Sequence, residues 1–99
     1  MDMYERFIGK VVATRGIGSG VNVGRCAAIK GVDVLLEAGS FFMRSWTYKT
    51  SYGAFHSLSK VDVQGGEITL VKNDTIITDV AQCVICDDEI LDVLTKLAK

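Results

Sequence analysis

The stretch Arg15–Arg25, RGIGSGVNVGR, decides the fold. Read as a nucleotide loop, its glycines would end a strand and open a helix, making the protein α/β. Read as a hairpin tip, they join two strands and make it mainly β. The dinucleotide fingerprint needs Gly-x-Gly-x-x-Gly running into a helix. Counted from Gly16 and Gly18, the third glycine is replaced by Val21; counted from Gly18 and Gly20, by Val23. No Gly-Lys-Ser/Thr follows, so the Walker pattern fails as well. Val21–Asn22–Val23 is strand-like and leaves no helix N-terminus to receive a pyrophosphate. The stretch is therefore read as a hairpin tip. One functional use stays open at this point: a backbone nest around an anion, with Arg15 or Arg25 supplying charge.

Working outward, short β-type segments flank the tip: Lys10–Arg15, Asn22–Ile29, Val32–Glu37, Phe41–Trp46, Glu67–Val71 and Thr75–Cys86. Each is rich in β-branched or aromatic residues, and Gly, Asn, Asp and Ser punctuate the gaps. The chain has no proline, so its turns depend on Gly, Asn and Asp for unusual dihedrals. Strands at this spacing predict a small antiparallel SH3-like barrel or a strongly bent sheet. In CDDEILDVLTKLAK, from Cys86 to Lys99, the period changes. Ile90, Val93, Leu94 and Leu97 fall on one helical face, Asp87 or Asp88 can cap the start, and Lys96 and Lys99 suit the end. A C-terminal helix is expected, docked on its own sheet or on another subunit.

The 99 residues predict one domain, 1–99. Hydrophobic residues make up 48% and charged residues 23%, an ordinary globular balance. The net charge of −1 argues against duplex nucleic acid, whose binding rests on neutralising several phosphates. MDMYERFIGK carries charges throughout and does not read as a signal peptide, and no apolar run reaches membrane-spanning length. Three cysteines without a secretion signal point to a reducing host cytoplasm.

Cys83-Val-Ile-Cys86 has the Cys-x-x-Cys spacing, but within a strand residues three apart face opposite sides. Both thiols are read as small buried hydrophobes, with no metal or cofactor expected. His56, alone in a loop beside aromatics, is read as structural, and no catalytic residue is assigned. The segment FFMRSWTYKTSYGAFHSLSK, from Phe41 to Lys60, holds six of the eight aromatics, with Arg44, Lys49 and His56 among them. Flat faces beside cations suit a nucleobase and its phosphates. They equally suit a protein interface, where Trp, Tyr and Arg dominate the binding energy. Strand alternation places Phe42, Arg44 and Trp46 on one face and Phe41 and Met43 on the other.

The order of these pieces resembles a family of short, uncharacterised phage and prophage proteins. The carriers are Gly9–Arg15, Ser19–Arg25, Val34–Ala38, Gly53–Ser59 and Ile76–Val80. Family members place two arginines directly after the Glu/Asp-Ala pair, where this chain has Gly39 and Ser40. The resemblance implies a phage origin and a small β-rich fold, and it brings no established activity.

Together these readings predict a non-enzymatic binding protein. The favoured form is a homo-oligomeric sponge that hides a cyclic or modified nucleotide messenger of bacterial immunity. Trp46 and Tyr48 would stack on a base, Arg25 and Arg44 would pair with phosphates, and Arg15, Gly18, Gly20 and Lys49 would complete the site. The alternatives are a module docking on a host or phage protein through its aromatic patch, and a weak single-strand nucleic-acid binder.

Overall fold

The computed structural model describes residues 3–51 and 53–98. After a single 3-10 turn, Met3–Arg6, the hairpin forms as expected. Strands β1 (Val11–Gly16) and β2 (Gly20–Lys30) pair from Val11 opposite Arg25 to Gly16 opposite Gly20. Ile17, Gly18 and Ser19 make the turn, and Gly20 re-enters the ladder at φ +68°. Glycine is needed there twice over. That φ strains any side chain, and a Cβ would lie 3.1 Å from the Phe42 ring.

β2 is the spine of the sheet. Besides β1, it pairs with β4 (Ser40–Thr47) over residues 21–23 and with β3 (Asp33–Leu36) over residues 26–30. The register shifts between Cys26 and Ala28, a bulge that bends the strand between its two partners. β5 (Gly65–Val71) pairs with β4, β6 (Thr75–Ile77) with β3, and β7 (Gln82–Ile85) with β1. Among the described residues, seven strands form one antiparallel sheet of order β5-β4-β2-β1-β7, with β3 and β6 branching from β2.

The fold is mainly β, an antiparallel sheet with a short C-terminal helix, and the closed SH3-like barrel is not formed. The reason lies in Thr75–Cys86, expected as one strand and found as two. Asp79 takes φ +52° between β6 and β7, and the chain crosses from β3 to β1 there. Val80 N–H donates to the Val32 carbonyl and Ala81 N–H to that of Arg15, each at 2.8 Å. These single bonds span the gap where a barrel would need a continuous ladder.

β1 is buried on both faces. Val11 and Ala13 enter a larger core with Val23, Phe41, Met43, Ile68 and the helical residues Phe55, Ile90 and Leu94. Val12 enters a smaller core with Cys26, Val34, Leu36 and Ile77. Two helices cover the larger core: α1 (Ala54–Ser57) and α2 (Glu89–Leu97). A nine-residue helix is unstable alone; Ile90 and Leu94, fully buried, hold α2 on its own sheet against β5. Burial of each such side chain contributes roughly 1.5–3 kcal/mol. Asp88 stands at the N-cap, yet its side chain makes no capping bond; its carboxylate lies 3.7 Å from Arg25. Among the described residues, no helix is long and apolar enough to cross a membrane.

Candidate functional site

The residues expected to share one ligand pocket are dispersed by the strand register. Arg44 and Trp46 do not share a face. Met43 is opposite Ile68 but Ser45 is opposite Glu67, so Arg44 is the extra residue of a bulge and alternation restarts after it. Trp46 consequently turns to the larger core, half-buried, and its indole N–H donates to Ser57 Oγ at 3.0 Å. Arg44 stays exposed, 3.7 Å from Glu67. Arg25 sits five residues up β2 from Gly20, roughly 17 Å at the rise of an extended strand. Its guanidinium donates to the Gly9 carbonyl at 2.8 Å and pairs with Asp88.

Tyr48 is exposed beyond the end of β4. Lys49 is exposed too, and what is fixed there is the backbone. The Asp62 carboxylate accepts the Lys49 and Thr50 amides at 2.9 and 2.8 Å. These bonds, the Thr50 amide foremost, hold the Asp62 carboxyl below the usual carboxylate range. Gly18 is exposed at the hairpin tip, with open space around it. Gly16 is closed in by Ser19 Oγ and the Asp79 carbonyl, at 2.5 and 2.6 Å from where a Cβ would stand. A carbonyl oxygen at that position repels an anion, so this side of the loop is not a nest.

Arg15 is different. It is the cross-strand partner of Gln82 in the β1–β7 ladder, and its Nη2 donates to Gln82 Oε1. Its guanidinium carbon lies 4.9 Å above the centroid of the Phe55 ring, a cation–π contact. Gln82 Nε2 lies 3.4 Å from His56 Nε2, and the Phe55 and His56 rings meet edge-on at 5.6 Å. The local sequence explains the placement: α1 sends Phe55 into the core and its neighbour His56 outward. Among the described residues no carboxylate lies within ion-pair distance of Arg15. Gln82 engages one of five N–H donors, leaving the others for a ligand.

No family model, curated protein or solved structure matches the chain. The chemistry of the cluster must be read from its geometry. Of its members, the sequence reading singled out Arg15, set His56 aside and passed over Gln82. Gln82 carries no local signal, because it meets Arg15 only through a pairing between residues 67 apart.

The thiols divide as strand alternation predicts, Cys83 to the smaller core and Cys86 to the larger. Burial pushes Cys83 up to about 11 and Cys86 up to about 12, which makes both weak nucleophiles at neutral pH. Cys83 also lines an apolar cavity of about 300 Å³ beside the unclosed gap, together with Phe7, Ile29, Val34 and Val80.

Proposed function

We propose that the protein is a phage-encoded binding protein that sequesters a phosphate-bearing nucleotide, with Arg15 as the anion contact. The observation that carries this reading is the contrast among the three flagged arginines. Arg25 and Arg44 are each compensated by an acid, whereas Arg15 is held in place by a neutral amide and an aromatic ring. A guanidinium fixed this way presents its free N–H donors in a planar fork, the geometry that matches a phosphate. Its plane also offers a stacking surface to a base, a role that Trp46 does not fill from its half-buried position. Gln82 and His56 add polar hydrogen-bonding groups beside the charge. The phage setting rests on the resemblance of the sequence alone.

The test is thermal unfolding against cyclic and linear nucleotides, with nucleosides and inorganic phosphate as controls. A nucleotide at 100 times its Kd should add ~2.7 kcal/mol of stability. Arg15→Ala should abolish the shift, Gln82→Ala should reduce it, and Arg44→Ala should leave it unchanged. If no nucleotide shifts the transition while a discrete host protein is captured from lysate, the reading gives way to a protein-docking module.

A further inference from the structure

His56 is the chain's single histidine, and its ring meets Gln82 and Phe55 in the Arg15 cluster. The donors and acceptors there fit together in one way. Arg15 has no acceptor, so the atom of Gln82 that meets its Nη2 must be the carbonyl oxygen Oε1. The other end of the same amide, Nε2, can only donate, and it lies 3.4 Å from His56 Nε2. A hydrogen bond there requires a bare lone pair on His56 Nε2, with the ring proton on Nδ1. Arg15 and His56 are exposed, and Gln82 between them is half-buried. A primary amide turned by half a rotation keeps its shape, and it would then set N–H groups against the guanidinium, donor against donor. The other end of the amide, at His56, selects between the two orientations.

We propose that His56 is the positioning residue of the Arg15 site: through Nε2 it holds the Gln82 amide with its oxygen towards Arg15. The guanidinium is then fixed from the side by Gln82 and from below by the Phe55 ring. Protonation of the imidazole undoes the hold. Nε2 becomes a donor facing a donor, and the amide oxygen is drawn from Arg15 towards the imidazolium. Histidine is the side chain that changes charge between about pH 5 and 8, so acid in that range releases Arg15. The charge that reaches the ring from β1 is Arg15, through Gln82. β7 brings Gln82, its Cys83 thiol turning to the smaller core. α1 carries no other ionisable side chain, and Lys60 is the nearest charge along the chain. Among the described residues no carboxylate lies within ion-pair distance of the ring. For a ligand, the consequence rests on the reading of Arg15 as the anion contact; the hydrogen-bond relay itself does not.

Nitrogen NMR of the full, ligand-free chain reads the relay directly. At about pH 8, above the histidine range, the His56 ring should carry its proton on Nδ1, and the Arg15 Nη hydrogens should show hindered rotation. Gln82→Ala should redistribute the two ring tautomers, and acidification of the wild type to about pH 5 should free the Arg15 hydrogens. His56→Gln offers the amide an acceptor that does not titrate, so Arg15 should stay held across the whole range. His56→Ala should leave Arg15 free throughout, with the unfolding transition unchanged because the ring is exposed. Inorganic sulfate, whose charge is constant over this range, is the anion probe. At the alkaline end His56→Ala should bind it about threefold more weakly than wild type, the cost of ordering one more long side chain, and His56→Gln equally well. A ring protonated on Nε2 at the alkaline end, or an Arg15 held as firmly in His56→Ala as in wild type, would overturn the proposal. Sulfate that binds no variant, with the tautomer as expected, would remove the anion reading of Arg15 and leave the relay standing.

Discussion

The two cores on either side of β1 are built from adjacent residues of one strand, yet they are finished differently. The larger core, entered by Val11 and Ala13, is sealed by α1 and α2 and includes side chains as large as Phe41, Ile90 and Leu94. The smaller core, entered by Val12, has strands on its flanks and an apolar cavity at its margin. A helix supplies a continuous stripe of long side chains. The Thr78–Ala81 crossover supplies chiefly Val80 to the smaller core and two single backbone bonds. The difference teaches where this fold spends its packing: one face is completed within the chain, and the other retains room beside a pair of half-closed strands.

Truncation tests that contrast most strongly. Leu94→Ala should cost ~3–5 kcal/mol in urea unfolding, because the helix that loses its anchor also covers the sheet. Leu36→Ala in the smaller core should cost less, ~2–3 kcal/mol, since the neighbouring space lets side chains relax into the void. Equal losses would mean that the two cores are equally well packed.

Alkali probes the same division through the thiols. Cys83 and Cys86 have folded pKa values of about 11 and about 12, above the ordinary 9.0. Their contribution to stability is complete below pH 9 and is lost as pH rises through those values. Native alkylation should reach Cys83, on the cavity wall, before Cys86; Cys86 should react only on the timescale of unfolding.

The smallest effect comes from filling the space. Val80→Leu adds one methylene to the cavity wall and should raise stability by ~0.5 kcal/mol, read as a small increase in Tm. A decrease would show that the cavity has no room on that side.

Legibility varied with how local the signal was. The hairpin could be read from a glycine pattern that fails every nucleotide-loop template, and α2 from the spacing of Ile90, Val93, Leu94 and Leu97. The opposite facing of Cys83 and Cys86 followed from alternation along β7 and the extended residue after it. Alternation failed at Arg44, because the extra residue of a bulge depends on how β5 pairs with β4. The break at Asp79 was equally hidden, since TIITDVAQCVIC reads as one continuous β segment. At the candidate site, Arg15 could be flagged as a cation beside glycines. Its distinction from Arg25 and Arg44 depends on which carboxylates come near, and that is a property of the assembled sheet.

What the sequence by itself determined is the set of local choices: antiparallel strands, glycine-dependent turns, one amphipathic helix and no nucleotide-binding loop. These follow from dihedral freedom and from hydrophobic period, which act over a few residues. Only the tertiary structure decided that the sheet stays open, that Trp46 turns inward, and that Gln82, Phe55 and His56 gather around Arg15. Those outcomes depend on hydrogen-bond register between strands distant in the chain, where a shift of one residue moves a side chain to the opposite face.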